Sequence, residues 1–174
     1  MKNTNKKLTR LVHTALFCAL CTTATLIAFP SGIGYVNAGD MVVLLAAFTL
    51  SPMQAAAAAG VGSALADVLC GYTIYAPATL IIKGCMAAST CYLVKMLKHV
   101  NVPSHIGIAL SAVFGELCMT CGYLAYEWYV LGYGMAALSS IPANLIQGAF
   151  GCVGGILFYY ILKSTKLTNK LPAM

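Results

Sequence analysis

The stretch GYTIYAPATLIIKG, residues 71–84, decides how this chain is read. Gly71 and Pro77 punctuate it, and an apolar run then begins in which Lys83 has apolar or small residues on both sides. A lysine in a helix of a soluble domain would need no comment. Here the composition changes its meaning. Of 174 residues, 60% are hydrophobic and 8% are charged, and the mean hydropathy is +0.85. A soluble domain carries about 25% charged residues. There is too little polar surface to coat a water-soluble globule, so the chain reads as an all-α integral membrane protein. Its length fits one helical bundle, a single domain over residues 1–174.

Outward from residues 71–84, Pro and Gly punctuation divides the chain into six apolar segments, at 10–29, 40–51, 53–70, 77–98, 104–130 and 139–163. The second is short for a full span and is expected to be tilted, kinked or partly re-entrant. The runs are continuous rather than alternating, which excludes a β-barrel. The apolar run from Leu11 to Phe29 also exceeds the usual ~7–15-residue core of a signal peptide, so the first segment is expected to be a retained helix.

Charge gives the orientation. Lys2, Lys6, Lys7 and Arg10 precede the first segment, Lys95 and Lys98 lie at the fourth link, and Lys163, Lys166 and Lys170 follow the last. Six crossings put all three clusters on one side, the positive-inside pattern, with both termini cytoplasmic. The same clustering argues against nucleic acid as the reason for the net charge of +6. Nine of ten basic residues obey the pattern, and the tenth is Lys83.

With that orientation, Asp40, Asp67, Lys83 and Glu127 fall toward the outer side, Asn144 and Gln147 in the outer third of the last segment, and Glu116 deepest. Lys83 is about 9 Å past Pro77 at helical rise. Ionisable groups inside a membrane face the protein interior and mark a substrate or ion pathway. Their bias to one side reads as a cavity open outward and closed below, whereas a pore needs polar lining at both depths. Lys83 is expected to pair with an acid, Asp67 ahead of Asp40 because a short loop joins the third and fourth segments, or to meet the ligand. Glu116 is the foremost ligand candidate, and Glu127 reads as an exposed rim residue.

Tyr35, Tyr72, Tyr75, Tyr123, Tyr126, Trp128, Tyr129 and Tyr133 crowd the same level. An interfacial aromatic belt accounts for many of them. Tyr123 lies seven residues beyond Glu116 and shares its helix face, which suits stacking on a flat ligand. Asn144 and Gln147, three apart, share another face and suit a heterocycle's donor and acceptor edge, or hydrogen bonding between helices.

The eight cysteines include CxxC pairs at 18–21 and 118–121, but they sit inside apolar helices and read as small buried hydrophobes, not a metal or redox centre. His13, His99 and His105 do not cluster with the acids. No metal and no cofactor is expected, nor any catalytic group, since no nucleophile and base are placed together. Ala15-x-x-x-Ala19, Ala24-x-x-x-Ala28, Ala55 to Gly62 and Gly151-x-x-x-Gly155 permit close helix approach. In the third and sixth segments this is packing within the bundle, while the Ala15/Ala19 stripe is open to a membrane partner.

These features together resemble the substrate-binding S components of energy-coupling factor (ECF) vitamin transporters. The resemblance rests on the basic N-terminus, the AxxxA stripe, Tyr35-Val36-Asn37-Ala38-Gly39-Asp40, Gly62-Ser63-Ala64-Leu65-Ala66-Asp67, Gly71 to Thr79, and Ile82-Lys83-Gly84. Nearly the whole chain is similar to the branch for riboflavin or for hydroxymethylpyrimidine and pyridoxine-type compounds. It implies a bacterial cell-membrane protein that captures a vitamin outside, docks on a transmembrane coupling subunit with two cytoplasmic ATPases, and topples to release it. It further implies coupling-subunit contacts at Ala15 and Ala19 and a gate at residues 30–39. Depth, helix face and side-chain chemistry, taken with this resemblance, give the expected substrate set as Asn37, Asp40, Asp67, Tyr75, Lys83, Glu116, Tyr123, Asn144 and Gln147. No Gly-x-x-x-x-Gly-Lys-Ser/Thr phosphate loop is present, in keeping with ATPases supplied by partners. The competing expectation is a stand-alone secondary transporter, which needs polar lining through the inner half or repeated halves with broken helices.

Overall fold

The computed structural model describes residues 2–31 and 34–165, with side chains over 6–29 and 36–165. Lys166 and Lys170, and the side chains of Lys2 and Tyr35, lie outside this range. Six α-helices follow the expected segments: α1 (Lys2–Leu26), α2 (Gly39–Thr49), α3 (Pro52–Leu69), α4 (Ala76–His99), α5 (Ser104–Ala125) and α6 (Ile141–Ser164). Local chemistry sets several ends. Pro52, Pro77 and Pro142 open helices at positions where a missing N–H is harmless. Gly71, at φ +83°, closes α3: Tyr72 N–H donates to the Asp67 carbonyl and Gly71 N–H to that of Val68. Asn101, at φ +59°, closes α4 the same way, with Pro103 beyond it.

Two features depart from an all-helical reading. The first link is an antiparallel hairpin, β1 (Ala28–Ser31) and β2 (Gly34–Asn37), in a register that pairs Ala28 with Asn37 and Ser31 with Gly34. The connection from α5 to α6 is a wide π-helical turn, Tyr126–Val130, followed by a tight 3₁₀ turn, Gly134–Ser140. Both lie at the same end of the bundle, where helix ends leave backbone groups that need partners other than lipid.

At 11 residues, α2 is about 16 Å long, half the ~30 Å hydrocarbon thickness. Its shortness follows from its place. Val43, Leu44, Ala46, Ala47 and Phe48 are all buried, and α2 packs against α1, α3, α4 and α6. A helix apolar all round belongs in the interior. Around it, Ala55, Ala58, Ala59, Met86, Ala87, Cys91, Ile108, Ala112 and Met119 complete the core.

Bare helix faces bring the helices together. A Cβ on Gly62 would meet the Cys18 carbonyl and lie 2.7 Å from Cys21 Cβ, so α1 rests directly on the α3 backbone. A Cβ on Gly155 would lie 2.8 Å from Leu44 Cβ, seating α6 on α2. Ala15 and Ala19 instead remain exposed on α1, beside exposed Leu11, Leu16 and Leu20. All eight cysteines are free.

Leu110, Val113, Leu117, Phe150, Val153 and Leu157 are exposed along the outer faces of α5 and α6. Apolar bands on that scale require lipid, not water, as their solvent. Three helical stretches are long and apolar enough to cross a membrane: Ala76–His99, Ser104–Val130 and Gly134–Ser164. The molecule is a membrane protein built as a helical bundle.

Candidate functional site

A cavity of about 540 Å³ opens at the end of the bundle where α1 and α3 finish and α4 and α6 begin. Lys6, Lys7, Arg10, Lys95, Lys98 and Lys163 all lie toward the opposite ends of their helices. The polar cavity and the basic clusters therefore occupy opposite ends of the molecule.

Every element that reaches this end except α2 contributes to the cavity. Thr25 comes from α1 and Asn37 from the hairpin, while α3 supplies Asp67. The 71–75 turn adds Tyr72 and Tyr75, and α4 adds Thr79. Tyr123 and Glu127 come from α5 and the wide turn, and Asn144 and Gln147 from α6. Six of the nine residues expected to bind substrate thus line one cavity: Asn37, Asp67, Tyr75, Tyr123, Asn144 and Gln147. Asp40, Lys83 and Glu116 are not on its wall. They lie buried behind it, Asp40 wholly and the other two nearly so.

These buried residues hold the wall in place. Lys83 pairs with Asp40 Oδ1. The other carboxylate oxygen, Oδ2, accepts from Gln147 Nε2 at 2.7 Å. That bond fixes which way the Gln147 amide faces, because its Nε2 is committed downward. Gln147 Oε1 then faces the hairpin, where it accepts from Asn37 Nδ2 at 2.9 Å and from Asn37 N–H at 3.2 Å. Asn37 Oδ1 in turn accepts from Gly39 N–H at 2.9 Å, an Asx turn that leads the hairpin into α2. A continuous polar chain runs from α4 through α2 and α6 to the hairpin over the cavity.

The partner of Lys83 corrects the expectation from chain proximity, which favoured Asp67. Lys83 is seven residues into α4, about 10 Å below its start, whereas Asp67 sits at the last turn of α3. α2 follows directly on the hairpin, whose Ala28 and Asn37 line the cavity, and its first turn sets Asp40 at the depth of Lys83. The Lys83 ammonium also lies 5.7 Å from the centre of the Tyr123 ring, within cation–π range. The Tyr123 hydroxyl is 3.0 Å from Thr79 Oγ1, which fixes the ring edge.

Glu127 is a second correction. It is buried, not an exposed rim residue, and it lines the cavity. Ser140 Oγ donates to its Oε2 at 2.5 Å and the Tyr75 hydroxyl lies 3.4 Å from its Oε1. Burial, and then the adjacent Glu127 carboxylate, push the Tyr75 hydroxyl pKa up, so Tyr75 stays a donor. A periodic signal for Glu127 was present: Glu116, Thr120, Tyr123 and Glu127 stand at i, i+4, i+7 and i+11, one helix face. Thr79, one turn before Lys83, carried the same kind of signal. Thr25 and Ser140 carried none, because they arrive from helix ends whose crossing only packing defines.

Glu116 rests against α6, where a Cβ at Gly148 would lie 3.0 Å from its own Cβ, and its Oε1 occupies space that any side chain at Gly151 would need. Its two carboxyl oxygens are buried without a hydrogen-bond partner. Asp67 Oδ2 is likewise buried and unpartnered, at the cavity. Among the described residues, no group of His, Cys, Asp and Glu is arranged to hold a metal ion.

A helical membrane bundle with a polar cavity at one end, closed beneath by Leu44, Phe48, Met86 and Met119, has the architecture of a ligand-capturing membrane protein. Residues 5–164 match the family model described as "ECF-type riboflavin transporter, S component", and the chain belongs to that family. It is also 34% identical over 137 residues to a protein of Pyrococcus woesei described as "Uncharacterized protein in gap 3'region", a match covering 79% of this chain and 88% of that one.

Proposed function

We propose that this chain is the substrate-binding subunit of an ECF-type importer in the cell membrane, and that its ligand is a B-vitamin or vitamin precursor of the riboflavin, pyridoxine or hydroxymethylpyrimidine kind. The observation that carries this is the cavity: about 540 Å³, within the ~300–1,000 Å³ usual for small-molecule sites, and lined by tyrosines and amides at the end remote from the basic clusters. In this reading all six helices lie in the bilayer, with both termini cytoplasmic and the cavity facing out. Tyr123 offers an aromatic face, Asn144 offers a donor and an acceptor, and the hairpin over the mouth is the gate. Asp40, Lys83 and Glu116 support the floor.

Release requires a partner, since the chain carries no phosphate loop of its own. The exposed Ala15/Ala19 stripe on α1 is a smooth surface for a transmembrane coupling subunit served by two cytoplasmic ATPases. The test is to purify the protein and identify the co-purified molecule by mass spectrometry. A vitamin-class heterocycle is expected, and a lipid or no ligand, with no binding of added vitamins, overturns the proposal. Ala15→Trp with Ala19→Trp is expected to abolish uptake while sparing binding. Loss of binding would instead assign the stripe to internal packing.

A further inference from the structure

The cavity's charge is lopsided. Its two ionisable carboxylates are Asp67 and Glu127, and among the described residues neither Lys, Arg nor His is on its wall. The cation nearest in depth, Lys83, is already paired with Asp40 behind the wall. Two of the positive helix ends nearby are matched as well, Asp40 occupying the first turn of α2 and Glu127 accepting from Ser140 at the start of α6, while the first turn of α4 carries no acid. The two carboxylates are not equivalent. Glu127 has hydroxyl neighbours for both oxygens, Tyr75 and Ser140. Asp67 Oδ2 has none. The Thr79 hydroxyl on the same wall is shared with that of Tyr123. A buried carboxylate oxygen without a donor is costly, and at a ligand cavity the ligand is the group that can supply one.

We propose that Asp67 is the specificity-determining acceptor of this site, and that the cavity selects an uncharged or cationic heterocycle presenting an N–H, amino or hydroxyl donor, excluding phosphorylated and carboxylated forms. This rests on the vitamin-binding reading and narrows it to the unphosphorylated class. A phosphate brought into this cavity meets two carboxylates and, among the described residues, no cationic side chain on its wall, and like charges juxtaposed at an interface are strongly unfavourable. A donor brought to Asp67 Oδ2 makes a charge-assisted bond.

The experiment uses the full-length protein, cleared of ligand and reconstituted in nanodiscs of uncharged lipid, with binding measured by calorimetry. Three pairs are compared: riboflavin and its 5′-phosphate, pyridoxine and its 5′-phosphate, and hydroxymethylpyrimidine and its monophosphate. The unphosphorylated member of whichever pair binds is expected to be at least about a hundredfold tighter. Asp67→Asn, which keeps the shape but removes the charge and one acceptor, is expected to weaken that member by about tenfold to a hundredfold and to narrow the gap within the pair. Equal or tighter binding of the phosphorylated member to the unmutated protein overturns the inference and leaves the vitamin reading standing. Unchanged affinity in a folded Asp67→Asn protein also overturns it. Binding of none of the six overturns both.

Discussion

Replacing Lys83 by methionine tests the polar chain at its root. Methionine keeps the unbranched apolar stem of the side chain and is one heavy atom shorter, so packing in α4 changes little. What changes is Asp40, which is fully buried and would lose its paired cation. Gln147 would still donate to Oδ2, but Oδ1 would be left without a partner. Breaking a buried pair by removing one member costs about 3–5 kcal/mol. At roughly 2–4 °C per kcal/mol for a chain of this size, the melting temperature should fall by about 6–20 °C. The reverse single change, Asp40→Asn, strands the Lys83 ammonium and should cost a similar amount. The double variant removes both charges, and the amide oxygen introduced on α2 can still accept from Gln147. It should recover at least about 2 kcal/mol of the summed single losses, because two stranded charges are absent together. Thermal denaturation in detergent, followed by intrinsic fluorescence from Trp128 and the tyrosines, measures all four proteins. Additive losses in the double variant would show that Lys83 and Asp40 act independently and would refute the ion pair as the support for the cavity floor.

Two further outcomes follow from the same geometry. Gln147→Ala removes the acceptor for two Asn37 donors and the donor to Asp40. Ligand dissociation should quicken by about tenfold or more in stopped-flow release, with a smaller effect on association, because the hairpin loses its latch to α6. Gly62→Leu drives a side chain into the Cys18 carbonyl and Cys21 on α1. It should destabilise by about 1–3 kcal/mol or more in thermal denaturation, while Val61→Leu, on the exposed face next to it, should leave stability unchanged.

Composition and charge position were enough to determine that this is a membrane-embedded helical bundle, where its helices run, and that its polar groups gather toward one end. Those properties belong to the local chain: an apolar run of sufficient length must enter lipid, and its Pro and Gly punctuation sets where it stops. The residues of the cavity were legible to the extent that helical periodicity carries them, as with Tyr123, Asn144 and Gln147. The hairpin and the pairing of Lys83 with Asp40 were not legible, nor was the depth at which Glu127, on the same helix face as Tyr123, is covered. Each depends on relative depth between segments distant in sequence: residue 83 meets residue 40 and residue 147 meets residue 37 because α2 is short and follows directly on the hairpin. The order of residues determines how far each lies along its own helix, and only tertiary packing decides how far that helix is sunk beside its neighbours. That difference moved Lys83 from the wall of the cavity, next to Asp67, to the floor that holds Gln147 and the hairpin in place.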